Sequence, residues 1–144
     1  MAIEDWAGTL KSKMAEITQI RQVHKYDEFP GSIMAFPTMI ILPERGTGDL
    51  QVGRSWHYLI MNLYVAGQVL PEGYGLAVPF IKLVRNKLAA NLKLDGTVES
   101  CEPLRFDEGN FYEGPGSLPY NQKNHLGIIF RVKVKESEQF TISA

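Results

Sequence analysis

The stretch RSWHYLIMNLYVAG, Arg54 to Gly67, decides how the rest of the chain is read. Side chains of a strand alternate between faces, so Leu59, Met61, Leu63 and Val65 line one side while Trp56, Tyr58, Ile60 and Tyr64 line the other. Both sides are largely apolar. A small domain can hide one of them against its helices, which leaves a second face that something else has to cover. The segment is also long for a strand, whose mean length is about 5–6 residues.

The flanking sequence supplies the helices and the other strands. Ile3, Trp6, Leu10, Met14 and Ile17 recur at spacings of three and four, which predicts an amphipathic helix with one buried stripe. Phe80, Val84, Leu88 and Leu92, widened by Ile81 and Leu83, predict a second helix; Pro79 fits only in its first turn, so the helix is placed to start near Ala77 or Val78. The last segment, HLGIIFRVKVKES, alternates cleanly. Leu126, Ile128, Phe130, Val132 and Val134 point inward, and His125, Ile129, Arg131, Lys133 and Lys135 outward.

Shorter runs complete the set. A brief strand is read around Val23 and Tyr26, ended by the turn signal FPGS. TMIILPE reads as a strand buried on both faces, and Val98 to Arg105 as a weak strand that Pro103 confines to an edge or a bulge, after a turn at Asp95-Gly96. RGTGDLQVG is taken as a mobile loop or hairpin tip, and DEGNFYEGPGSLPYNQKN as a long structureless loop. The order of elements predicts an α+β fold, a single two-layer domain over residues 1–144 with a mostly antiparallel sheet and two helices packed on one face.

Composition narrows the classes of function. The 144 residues carry 15 basic and 16 acidic side chains, a formal charge of −1, which gives no global attraction to nucleic acid or to an anionic membrane. No apolar run approaches the roughly 20 residues needed to cross a bilayer. The acidic residues in MAIEDWAGTLKSK speak against a signal peptide, so a soluble, cytoplasmic protein is expected. The single cysteine, Cys101, can make neither an internal disulfide nor a structural zinc site, and it is read as a small buried hydrophobe.

Little in the sequence points to a reacting centre. His24, His57 and His125 lack neighbours at metal-ligand spacing, and Asp107-Glu108 reads as a solvated strand end. RGTGDLQVG has neither the Lys-Ser/Thr nor the strand-to-helix setting of a phosphate loop. No catalytic residue, metal or cofactor is assigned, and an enzyme is not expected. Arg131, Lys133 and Lys135 form a basic row that could meet phosphates or an acidic partner; the preferred reading is charge that keeps a strand from pairing with other chains. For Trp56, Tyr58, Ile60 and Tyr64 two readings stand side by side, a partner surface or cross-strand packing within the sheet.

The order of the pieces resembles a known family. The Tyr26 to Pro30 segment, FPTMIILP after it, and the Tyr/Leu-alternating strand that closes on Ala66-Gly67 are similar to the tail terminator (tail completion) proteins of long-tailed bacteriophages, whose fold is that of the lambda minor tail protein U. The likeness covers about Ile3 to Val134. It implies a homo-oligomeric ring, typically a hexamer, that caps the tail tube, ends its polymerisation and offers a joining surface to the head-neck connector. DNA would pass through the lumen only as cargo, with no membrane involved. The site would be the tail-neck junction of the virion, after assembly in the host cytoplasm.

In such a ring Trp56, Tyr58, Ile60 and Tyr64 would be subunit interface. The loops bearing Arg45, Asp49, Phe111 and Tyr112 would meet partners above and below. A head-tail adaptor of the neck, or a small α+β ligand-binding domain or enzyme whose aromatic strand lines a pocket, are the competing readings.

Overall fold

The computed structural model describes residues 3–49, 54–92, 94, 100–104 and 109–137, and the side chains of all of these except 3–6, 45–49, 54–55 and 136–137. The turn read at Asp95-Gly96 and the pair Asp107-Glu108 lie outside the described residues. In chain order the elements are helix α1 (Ile3–Ala15), strands β1 (Gln22–His24), β2 (Thr38–Asp49) and β3 (Arg54–Ala66), a 3-10 turn (Pro71–Gly73), helices α2 (Tyr74–Ala77) and α3 (Pro79–Ala89), and strands β4 (Ser100–Pro103), β5 (Tyr112–Tyr120) and β6 (Lys123–Ser137).

The described strands make one mixed, mostly antiparallel sheet in the order β1-β2-β3-β6-β4, with β5 also paired to β6. Among the described strands only β1 and β2 run parallel. β6 pairs with β3 from Leu126 to Ser137 on one edge. On its other edge β5 takes residues 123–130 and β4 takes 132–135. The fold is α+β, with the two longer helices on one face of the sheet.

The periodicities explain the core between the layers. Ala7, Leu10 and Met14 from α1 and Phe80, Val84 and Leu88 from α3 meet Leu59, Met61, Leu63 and Val65 of β3 and the five inward residues of β6, all buried. Each large side chain so buried contributes roughly 1.5–3 kcal/mol relative to exposure. Pro79 sits in the first turn of α3, where its missing N–H costs nothing. The helix stops at Ala89 with the Asn91 amide donating to the Lys87 carbonyl (2.8 Å), so Leu92 leaves the buried stripe and is exposed.

Two segments depart from the sequence reading. Arg45 to Asp49, expected in a mobile loop or hairpin tip, continue β2 and pair with β3 in register from Arg45 opposite Tyr58 to Asp49 opposite Arg54. The register shifts between Pro43 and Arg45, next to a proline that cannot donate to the ladder. The supposed loop after Asn110 contains β5, joined to β6 by a two-residue turn in which Asn121 (φ 47°) and Gln122 (φ 69°) both have positive φ. Two positive φ values give a hairpin turn whose twist matches the strands, a geometry usually announced by Asn-Gly and here carried by Asn-Gln.

Pro103 lies on β4, the last strand in the sheet order, as its lack of a donor requires. The basic row of β6 is different. β6 is flanked on both edges, so Arg131, Lys133 and Lys135 guard no open edge and instead stand on the sheet's outer face.

Candidate functional site

The outer face, away from the helices, is laid out by the register. Thr38, Tyr64 and Gly127 form one row across β2, β3 and β6; Ile40, Asn62 and Ile129 the next; then Leu42, Ile60 and Arg131; then Tyr58 with Lys133 and Glu102 of β4; then Trp56 with Lys135 and Ser100. The face divides into a roofed end and an open end.

The roof is built by residues 29–37 and the tip of the β5-β6 hairpin. Ile33, Ile40, Tyr64 and Leu118 form a second buried cluster, with Phe36, Leu42, Tyr120 and Ile129 packed against it. Tyr64 stacks edge-on against Tyr120 (5.5 Å) and His125 (5.8 Å), and its hydroxyl donates to the Pro119 carbonyl at 3.2 Å. The Tyr120 hydroxyl donates to the Pro30 carbonyl and the Asn121 amide to the Gly31 carbonyl, pinning the covering segment down. Burial pushes the phenols of Tyr64 and Tyr120 above their usual range.

This corrects two expectations. Tyr64, placed on a partner-covered surface, is 2% exposed and sealed inside its own subunit. His125, expected to point outward, stands on the outer face but is buried there between Phe36 and Tyr64, with Nδ1 donating to the Gly67 carbonyl at 3.2 Å. The physical cause is Gly127, whose missing side chain lets Leu118 of the adjacent strand β5 lie over the outer face. A Cβ there would stand 2.7 Å from both the Leu118 Cδ2 and the Leu63 carbonyl.

At the open end Trp56, Tyr58 and Ile60 remain half-buried, with Leu42 and Ile129 beside them. The basic row dresses this surface. The ammonium groups of Lys133 and Lys135 sit 4.9 and 5.1 Å from the Trp56 ring centre, and Arg131 pairs with Glu113 (2.9 Å) and more distantly with Glu44 (3.8 Å). Cations over an indole face are attracted by its quadrupole at about 0.5–1 kcal/mol when exposed and more once desolvated. Among the described residues, cross-strand packing thus covers part of Trp56, and no second layer covers the row. At the boundary the Asn62 carboxamide oxygen is buried without a hydrogen-bond partner.

The four residues expected in partner-contact loops are scattered. Arg45 and Asp49 belong to β2. Phe111 packs on Phe130 (5.4 Å) under the Arg85 guanidinium (6.0 Å), part of the helix-sheet core, and Tyr112 at the start of β5 is exposed.

One surface was missed by the sequence reading, which saw only a chain break in LPEGYG. Val69, Leu70, Tyr74, Leu76 and Val78 are exposed around α2. Beside them an apolar groove of about 450 Å³ runs between Phe36-Pro37, Val65 and the helical residues Leu76, Phe80 and Leu83. A second hydrophobic stripe at spacings of three and four, Leu76, Pro79 and Leu83, was the available signal.

Cys101 is fully buried on β4, and desolvation, helped by Glu102, pushes its thiol up to about 12. The thiol is therefore neutral and enclosed. It is expected to stay unlabelled by a disulfide reagent at neutral pH until the protein is denatured. The raised value favours the folded state fully below the ordinary 9.0, and that contribution is lost as pH rises toward 12. Tyr64 and Tyr120 act in the same direction, so Cys101→Ala should flatten the alkaline fall in urea midpoint without removing it.

Among the described residues no group of three or more His, Cys, Asp or Glu side chains is placed to hold a metal ion, and no helix is long and apolar enough to cross a membrane. No protein-family model matches the chain, and none of the curated proteins compared with it matches its sequence.

Proposed function

We propose that this chain is a structural assembly subunit that associates with copies of itself into a ring of the tail-terminator kind, capping a phage tail tube and presenting a face to the neck. The observation that supports this reading is the half-finished roof of the sheet. At one end the chain covers its own outer face. At the other it leaves Trp56, Tyr58 and Ile60, flanked by Leu42 and Ile129 at the edge of the roof, as an aromatic and aliphatic centre rimmed by Arg131, Lys133, Lys135, Glu102 and Glu113.

An apolar centre inside a charged rim is the anatomy of a protein interface, and Trp, Tyr and Arg are the side chains that most often carry its energy. A ring closes through two different patches of the same subunit, so a neighbour can cover this face without using the same face itself. Hexameric closure, the tail tube and the connector as partners rest on the family resemblance.

The test is the assembly state. Light scattering and electron microscopy of the purified protein, alone and with tail tubes, should show closed rings or particles seated on tube ends. Tyr58→Glu and Ile60→Glu should abolish association while circular dichroism and the urea midpoint stay near those of the parent. A monomer that ignores tube ends at all accessible concentrations would refute the reading.

A further inference from the structure

We propose that residues 139–143 of one subunit add as a strand to the open edge of β2 in another copy of this chain. The inference rests on the self-association proposed above and gives it a backbone contact distinct from the outer sheet face.

β2 uses its two edges unequally. One pairs with β3 from Thr38 to Asp49, while the other pairs with β1 at Thr38, Met39 and Ile40. From Ile41 onward, among the described residues, no strand lies along that second edge. A bare edge presents a row of N–H and C=O groups that pairs with another chain unless something guards it. The other described edge strands are guarded: β1 has three residues, β4 has four and includes Pro103, and β5 carries Pro115 and Pro119. Within β2, Pro43 and the register shift after it protect the stretch up to Glu44. Arg45 to Asp49 lie beyond that protection.

The glycines select the occupant. Gly46 stands opposite His57 and Gly48 opposite Ser55, which puts both on the helix side of the sheet, the parity of Leu59. Two vacant positions two residues apart fit two large side chains at the same spacing on an added strand, and an aromatic residue beside an edge glycine offsets the glycine's poor strand propensity. Past Ser137 the chain reads Glu138-Gln139-Phe140-Thr141-Ile142-Ser143, outside the described residues. Phe140 and Ile142 alternate with Gln139, Thr141 and Ser143, the period of a half-buried strand. In either strand direction Phe140 and Ile142 can stand opposite the two glycines together.

Reach makes the donor a different copy. Asp49, Arg54 and Ser137 form one row across β2, β3 and β6. The far side of β2 is therefore three strand spacings from Ser137, about 14 Å at about 4.8 Å each. Phe140 follows Ser137 by three residues and extends no more than about 11 Å. A subunit cannot lay its own Phe140 beside its own Gly46 or Gly48, whereas a neighbour can. The donated strand and the accepting edge are different patches of one chain, so the contact is head-to-tail and closes into a ring when the rotation allows. Main-chain hydrogen bonds supply affinity and the glycine positions supply register.

The experiment uses the full chain. Double variants carrying Phe140→Cys with either Gly46→Cys or Gly48→Cys are oxidised, their remaining thiols blocked, and run on a denaturing gel. Covalent multimers are expected from one of the two, and none when Gln139→Cys, on the opposite face, replaces Phe140→Cys. An internally linked monomer, or no disulfide in either variant, overturns the proposal. Phe140→Asp should weaken association about tenfold or more with the urea midpoint unchanged. The same variant should bind a labelled peptide of residues 136–144 and ignore one with Phe140→Asp and Ile142→Asp.

Equal binding of the two peptides, or none at about 1 mM, also overturns it. The two readings fail separately. Rings in Phe140→Asp as stable as those of the parent overturn the strand exchange alone. A parent chain that forms no ring, with a Phe140→Asp variant that captures the native peptide, overturns the ring and supports the exchange.

Discussion

Tyr64→Ala is expected to cost about 3–5 kcal/mol of folding stability, the range for emptying a buried aromatic site. Urea denaturation measures it directly. For a domain whose whole stability is on the order of 5–15 kcal/mol, such a loss brings much of the population near unfolding. The size follows from what the ring touches: Ile33, Ile40 and Leu118 around it, Tyr120 and His125 edge-on, and a hydroxyl that donates to the Pro119 carbonyl. Tyr64→Phe keeps the ring and loses the hydrogen bond, so its cost should be about 1 kcal/mol. If Tyr64→Ala instead left the urea midpoint untouched and only dispersed assemblies, the roof over this end of the sheet would have to come from a neighbour. Tyr58→Glu makes the opposite prediction, and the pair divides the face into a part that folds the subunit and a part available to join it to others.

Gly127→Ala is the second large effect. Replacing glycine in a strand by alanine ordinarily gains about 0.5–1 kcal/mol, because glycine loses more freedom on folding. Here the added methyl would stand 2.7 Å from the Leu63 carbonyl, which belongs to the β3 backbone and cannot step aside without breaking its ladder with β6, and 2.7 Å from Leu118. The expected result is a loss of about 3 kcal/mol or more, at the upper end of overpacking costs. Gly8→Ala supplies the control. A Cβ at Gly8 in α1 meets nothing within 4 Å, so that variant should gain about 0.5–1 kcal/mol. A stable Gly127→Ala would mean that Leu118 does not lie over the sheet as described.

These two residues also show what the sequence could and could not say. β6 was legible because Leu126 to Val134 alternate without interruption, and the buried stripes of the helices were legible because three- and four-residue spacing has few competing explanations. The open end of the outer face was readable as well, since Trp56, Tyr58 and Ile60 share a parity with no helix to cover them. The roofed end was not. Its parts, Ile33, Phe36, Leu118 and Tyr120, lie in stretches whose Pro and Gly content signals turns, and they are brought together by hydrogen bonds between residues 90 positions apart. Nothing local announces such a pairing. β5 was hidden for a related reason. Its prolines and glycines suppress strand propensity, and its turn uses Gln122 where a glycine would have advertised it. The groove beside α3 was overlooked because Leu83 was credited to the buried stripe of that helix, while Leu76, on α2, precedes the helix start that Pro79 set.

The position of β6 bears on how the chain is made. It occupies the middle of the sheet, yet it is the last described strand to leave the ribosome, after β3, β4 and β5, all of which wait for it to pair. At roughly 5–20 residues per second, the nascent chain spends several seconds with the long edge of β3 bare. During that interval the half-built sheet is a template for stray strands, and the hazard ends only when translation has passed Ser137.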